Sequence, residues 1–359
     1  MIQKRKICVI CENKLIEFAN IEYPIYDCCS IDIENKLWNM KYAYCEKCHS
    51  IQLITLLDPN ILYSGSYFQP VNNKYWWIQH NISFVNFIIS NLDINNSIIE
   101  IGGSSFCLGK HLVEYYKEYT VFDYSLDSTT FQKDIKYIQG NCETYSFESS
   151  SNLILSHVFE HLYNPGLFIE NCKNNKVSNI IIAIPDMNNT NELHVCNQHT
   201  FLYNACDIEY IFSKYGYFNN KKIFFESNDK SFKAIFFHFK LIDTKIIIKR
   251  IINPGRKDYS IKLLTQKIEI PKNCFIATAG IWGNLLYSLI SNKENVIGVI
   301  DYDINKQNKK FNITNLIIQD YNYLKNYNHE YSILLFGPRI NNIIKSIDDV
   351  NKEINIICY

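Results

Sequence analysis

Several things are scarce in this 359-residue chain. It carries no net charge, with 36 Lys and Arg against 36 Asp and Glu. That balance excludes a protein whose main partner is a nucleic-acid backbone or an anionic membrane, because either needs a basic surface. Arginine appears only at Arg5, Arg250, Arg256 and Arg339, while lysine, isoleucine and asparagine are over-used, as in an A+T-rich coding sequence. No stretch reaches the roughly 18 uninterrupted apolar residues of a membrane span. The opening MIQKRKICVICENK lacks the apolar core of an export signal, so a cytoplasmic protein is expected. The remainder, 47% hydrophobic and 20% charged, is ordinary globular composition. At roughly 100–200 residues per domain the chain holds two or three domains.

Cysteine, by contrast, is abundant at 13. An odd total without an export signal argues against a disulfide framework. Four cysteines form a pattern: Cys8-x-x-Cys11 and Cys45-x-x-Cys48, about 33 residues apart. Each pair can hold one face of a tetrahedral ion, and two pairs complete an all-thiolate zinc site with no open position. Such a zinc is structural, holding together a segment too small for its own core. The chemistry is then expected elsewhere.

From residue 97 short apolar strands alternate with amphipathic stretches. SIIEIGG (97–103) reads as a first strand ending in glycines, LGKHLVEYYKEY (108–119) as a helix, and TVFDYS (120–125) as a second strand ending in an acid. KYIQG (136–140), LILSHV (153–158) and NIIIAIP (179–185) continue as strands. DIEYIFSKYGY (207–217) reads as a helix, then KKIFFES (221–227) and SFKAIFFHF (231–239) as a hairpin adding an antiparallel edge. This alternation predicts an α/β, doubly wound, mainly parallel sheet of seven strands.

The order resembles class I S-adenosylmethionine (SAM)-dependent methyltransferases. Glu100, Gly102 and Gly103 lie at the first strand–helix turn, where glycine lets backbone approach a ligand. Asp123, 23 residues after Glu100, suits a carboxylate gripping ribose hydroxyls. Gly140 and Asn141 follow the third strand and are expected near the adenine; Ser156 and His157 end the fourth. Ser104 and Phe106 stand where a richer glycine loop has glycine. His157 to His161 also spells HxxEH, a zinc-peptidase signature. It begins at a strand end and runs into Leu162-Tyr163-Asn164-Pro165, so both histidines are not expected on one helix face, and a peptidase is set aside.

With the cysteine pairs in front and a further domain behind, nearly the whole chain resembles the sugar C-methyltransferase family. The likeness rests on the CxxC pairs with YCEKCHSIQL, on EIGG, on FEHL, and on CNQHTFLYNACDIEYIFSKYGY. It implies SAM as cofactor, a structural zinc, a nucleotide-linked deoxysugar as partner, and His199 as general base with His161 as a second active-site histidine. A tyrosine ahead of the central domain also contributes in the family; Tyr63 and Tyr67 both qualify. Where the family has Tyr and Glu before the base, this chain has Cys196 and Gln198, and Gln198 cannot act as a carboxylate that raises the basicity of His199. His194 and His238 are read as structural.

Residues 243–270 give no clear fold signal, with a linker at Asn253-Pro254-Gly255. CFIATAG (274–280), a helix through 285–290, NVIGVID (295–301), LIIQDYNYL (316–324), YSILLFG (331–337), a helix from about 338, and INIICY (354–359) then outline a second, smaller Rossmann-like unit. Gly280 and Gly283 are too few for a dinucleotide fingerprint, and Trp282 occupies space a dinucleotide would need. A substrate-side role is expected. The boundaries read 1–75 zinc-binding, 76–245 methyltransferase and 246–359 C-terminal, in a monomer or small homo-oligomer. The competing readings are a sugar O- or N-methyltransferase and a non-catalytic member that binds a sugar nucleotide or a protein partner.

Overall fold

The computed structural model describes residues 3–25, 36–63, 74–103, 108–126, 131–147, 152–188, 195–242, 254–311, 314–327, 329–337, 340, 343–344 and 355–359. Tyr67, Ser104, Phe106, His194 and Asn253 fall outside them.

The N-terminal segment is built on β2 (Leu15–Pro24) and β3 (Leu37–Cys45), paired antiparallel from Leu15↔Cys45 to Pro24↔Leu37. In β3 alternation turns Trp38, Met40 and Tyr42 into the core. β4 (Ile51–Leu53) extends this sheet, while β1 (Gln3–Lys4) and β5 (Thr55–Leu56) pair separately. Helices α1 (Pro59–Leu62) and α2 (Tyr75–Ile89) lead into the central segment.

The central segment supplies β6 (Ile98–Ile101), α3 (Gly109–Leu112), β7 (Tyr119–Asp123), β8 (Lys136–Gln139), β9 (Asn152–Ser156), α4 (Pro165–Asn174), β10 (Asn179–Pro185), β11 (Phe201–Leu202), α5 (Ala205–Lys214), β12 (Tyr217–Glu226) and β13 (Lys233–Leu241). Seven strands form one sheet in the order β12-β13-β10-β9-β6-β7-β8. The pairs among β6 to β10 are parallel, and β13 runs antiparallel to both neighbours. This is the class I methyltransferase sheet. Its strands are apolar runs because helices cover both faces. The second strand of the hairpin docks on β10, leaving β12 as the edge.

The C-terminal segment adds α6 (Pro254–Thr265), β14 (Cys274–Ala277), α7 (Ile281–Leu289), β15 (Val296–Ile300), β16 (Ile318–Gln319), β17 (Ser332–Leu335) and β18 (Asn355–Cys358). Its five strands run parallel in the order β16-β15-β14-β17-β18, the Rossmann-like unit expected. Helices α6 and α7 pack against β2 of the N-terminal sheet.

Two local expectations need correction. The helix read over 108–119 is one turn: the Val113 N–H closes it on Gly109, and the Tyr115 N–H bonds Leu112. The β-branched and aromatic residues Val113, Tyr115 and Tyr116 are weak helix formers. Pro254, read as linker, instead opens α6, where its missing N–H costs nothing.

Candidate functional site

The four cysteines converge as expected. Their sulfurs lie within 4.8 Å of one another. Cys8 Sγ is 3.4 Å from Cys48 Sγ, and Cys11 Sγ is 3.4 Å from Cys45 Sγ. Both knuckles fold alike: Glu12 N–H returns to Cys8 O and His49 N–H to Cys45 O, with Glu12 and His49 at positive φ of 63° and 58°. Hydrogen bonds, the Cys48 contact foremost, pull the Cys8 thiol down to about 4. Gln52 Nε2 donates to Cys8 Sγ at 2.9 Å. Four close sulfurs with an amide donor behind one of them fit a tetrathiolate ion.

In the central sheet the winding direction reverses between β6 and β9, which pair directly while β7 and β10 lie outside them. Ligands of open α/β sheets bind above such a switch point, at the carboxyl ends of the strands. Gly102 leaves β6 there at φ +77°, and a Cβ on it would lie 2.3 Å from Val158 Cγ2. A Cβ on Gly103 would meet Glu100 Cδ at 2.5 Å. Gly102 thus brings the turn close to the segment that follows β9, while Gly103 leaves room for the Glu100 side chain.

The predicted cofactor residues divide. Glu100 is 2% exposed; its carboxylate accepts the Leu108 N–H at 3.0 Å and the Tyr119 hydroxyl at 2.8 Å, which braces the turn from below. Asp123 is half-buried at the end of β7 and accepts the Ser125 N–H at 3.0 Å. Exposed Asn141 accepts the Glu143 N–H at 2.9 Å. The Ser156 hydroxyl is buried, with no hydrogen-bond partner among the described residues. His157 leaves β9 at φ 55° and sets its Nε2 3.2 Å from His80 Nε2. Burial pushes His157 down to about 3 and His80 well below its ordinary value, so both are neutral. Trp77 stacks on His80, ring centroids 5.0 Å apart at 10°, and its indole N–H is buried without a partner among the described residues. A bare glycine turn, a carboxylate on the next strand and orphaned polar groups fit a nucleoside-bearing cofactor such as SAM. Trp77 and His80 were not read from the sequence; the Trp76-Trp77 pair ahead of the first strand was the available signal.

The other cluster forms where FEHL meets the segment 196–200. Phe159–His161 make one 3-10 turn after β9. Against it, Thr200 N–H donates to Glu160 O at 3.0 Å and Thr200 Oγ1 to Leu162 O. Thr200 O accepts the Leu53 N–H at 3.0 Å, and β11 pairs antiparallel with β4. The segment 196–202 is therefore clamped between the central and N-terminal sheets. Arg5 completes the clamp, donating to the carbonyls of Leu53, Thr200 and Tyr163. Burial lowers its guanidinium to about 10, partly offset by Glu143.

This clamp brings His199 to His161, ring centroids 5.2 Å apart. The Tyr63 hydroxyl lies 3.4 Å from His161 Nδ1, which places Tyr63 at the cluster. Burial first, and then the neighbouring His199 and His157 rings, hold His161 well below its ordinary value. Cys196 and Gln198 are 1% and 3% exposed on the same segment. The cluster also contains Glu160, 0% exposed. His238 is structural as read, its Nε2 2.9 Å from Asn179 Oδ1.

In the C-terminal sheet, Trp282 packs on Gly337, where a Cβ would lie 2.6 Å from the indole. Asp301, at the usual ribose-binding position, accepts the Ala279 N–H at 3.0 Å and pairs with Lys306 at 3.2 Å.

No protein-family profile matches the chain, and no curated protein does. Solved structures do resemble it. The N-methyltransferase NodS of Bradyrhizobium japonicum, with S-adenosylhomocysteine, aligns at TM-score 0.40 and 11% identity over 48% of this chain and 91% of its own. Magnesium protoporphyrin IX methyltransferase of Synechocystis aligns at 0.39 and 8% over 50% and 91%. A Listeria monocytogenes protein described as a putative SAM-dependent methyltransferase aligns at 0.37 and 11% over 45% and 100%. The fold assignment rests on this chain's own strand order.

Proposed function

We propose that the chain is a SAM-dependent methyltransferase that forms a carbon–carbon bond on a nucleotide-linked keto-deoxysugar. The observation that carries this reading is the convergence of His199, His161 and Tyr63 on the turn that follows β9, beside the glycine turn of β6. Bound SAM supplies an activated methyl group. The protein's own part is proton removal and positioning. His199 takes the proton next to the sugar carbonyl, a task that suits an imidazole near neutral pH. His161, held neutral, and the Tyr63 hydroxyl are placed to bond the carbonyl oxygen as it gains charge. The clamp of Arg5, Thr200 and β11 keeps His199 at fixed distance from that oxygen. Asp123 and the Gly102-Gly103 turn hold the nucleoside end of the cofactor. The C-terminal unit is assigned to the nucleotide part of the sugar.

Calorimetric titration with SAM and its demethylated product, then deuterium exchange at the carbon next to a keto-sugar carbonyl, tests the reading. Saturable binding is expected, with exchange in the wild type and loss of exchange in His199→Ala. No binding at millimolar cofactor refutes it. Methyl transfer without carbon-bound exchange moves the acceptor to oxygen or nitrogen.

A further inference from the structure

We propose that Glu160 is the carboxylate partner of the His199 base, reaching it from the turn after β9 rather than from the neighbouring position that Gln198 occupies. The proposal rests on the reading of His199 as base. Glu160 is 0% exposed, and neither carboxylate oxygen has a hydrogen-bond partner among the described residues. A buried carboxylate without donors is unfavourable unless a positive group can answer it. The acceptor atoms of Glu160, His161 and His199 lie within 4.8 Å of one another. Their placement is built: the Thr200 N–H bonds the Glu160 carbonyl at 3.0 Å, so the backbones that carry base and carboxylate are tied at Glu160 itself and one residue from His199.

His157 Nδ1 is 3.5 Å from Glu160 Oε1, with His80 behind it at 3.2 Å. His161 has Tyr63 behind it, and Arg5 is bound to the Thr200 and Tyr163 carbonyls that flank the cluster. Burial raises Glu160 to about 7, and the charge on His199 acts against that rise. His157 and His161 are held neutral by burial, which leaves His199 as the ring whose protonated form the carboxylate answers.

In the reaction the C–H bond next to the carbonyl breaks heterolytically. The proton goes to an imidazole nitrogen of His199 and the electron pair to the enolate, whose carbon would then bond the methyl group as the methyl–sulfur bond of bound SAM breaks with its pair going to sulfur, leaving S-adenosylhomocysteine. The imidazolium so formed faces the Glu160 carboxylate, an attraction stronger after proton transfer than before it. The proton later leaves His199 for water.

The test is a pH titration of the full-length protein, its histidine rings isotope-labelled and followed by NMR, with His199 assigned from the His199→Asn spectrum. Glu160→Gln is expected to lower the His199 midpoint by about 1–3 units, the usual effect of losing an opposite charge at this range. Glu160→Asp, which keeps the charge, is expected to recover at least half of that shift. An unchanged midpoint in Glu160→Gln overturns the proposal. Should that variant not fold, the Glu160 side-chain carboxyl is followed by NMR in wild type and in His199→Asn: a higher Glu160 midpoint in His199→Asn supports the pairing, and an unchanged one overturns it. Metal analysis gives a separate check: a second divalent ion per chain that disappears on substituting Glu160 or His199 would place a cation between them and also overturn it. The titration needs neither cofactor nor sugar. A wrong methyltransferase reading therefore shows as absent exchange with the His199 shift intact.

Discussion

Gln52 sets its amide nitrogen 2.9 Å from the Cys8 sulfur while its oxygen takes the Val9 N–H at 3.1 Å. One side chain thus links the second knuckle's strand to the first knuckle. Outer partners of this kind orient ligand sulfurs and stabilise their thiolate form. Wild-type protein is expected to bind one zinc tightly, and Gln52→Leu to weaken it about 10–100-fold. Competition against a chromophoric chelator measures both. Unchanged affinity in Gln52→Leu would remove the residue from that role.

Gly102 sits at φ +77°, with a prospective Cβ 2.3 Å from Val158 Cγ2. Left-handed backbone alone costs a side chain about 1–2 kcal/mol, and the contact adds to it. Gly102→Ala should therefore lower the melting temperature and abolish measurable SAM binding. Asp123→Asn should weaken SAM at least about tenfold, the loss of a charge-assisted hydrogen bond, with melting unchanged. Equal SAM affinity in both variants would place the cofactor elsewhere.

Stability should fall on the acid side. His157 is pushed down to about 3 and His80 well below 6.5, both by burial. Their contribution is complete above the unfolded value near 6.5 and is lost as pH drops below it, because the unfolded chain then binds protons the folded one refuses. Glu160, raised from 4.5 to about 7, acts in the opposite sense, losing stability as pH rises through that window. His80 lies among Phe84, Phe232 and Phe236, so His80→Phe suits its surroundings. Urea midpoints between pH 7 and 4 should decline less steeply in His80→Phe than in wild type. Parallel declines would contradict the assignment.

Arg5 holds three carbonyls from three segments. Arg5→Ala strands those carbonyls and removes a positive charge that acts on the half-buried Glu143 carboxylate. A loss on the order of 3 kcal/mol is expected, as for breaking a buried charged pair. Urea unfolding measures it, and exchange at the sugar carbon should fall more than SAM affinity, since the clamp holds the His199 segment. A loss confined to SAM binding would argue against the clamp.

Much of the fold was legible because its signals are local. Parallel strands buried on both faces must be apolar runs, which is why NIIIAIP reads as a strand with the ends it has, Asn179–Pro185. A doubled CxxC announces its chemistry in eight letters. The helix α6 was illegible: its charged and apolar residues do not segregate to one stripe, and a proline with a glycine at its start resembles a linker. At the candidate site, His199 and His161 were named through resemblance, whereas Glu160 stood in plain view inside HVFEH and FEHL and was given no role of its own.

The sequence by itself determined the seven apolar strands, the thiolate pairs and the glycine turn, since each follows from spacing and side-chain chemistry along a few residues. Tertiary structure decided what His199 meets. That depends on Phe201–Leu202 pairing with Ile51–Gln52, on Thr200 bonding Glu160 and on Arg5 reaching Tyr163. These contacts join residues 40 to 158 positions apart, and apart from the Arg5 guanidinium they use backbone groups that every residue carries, so no side-chain pattern along the chain records them.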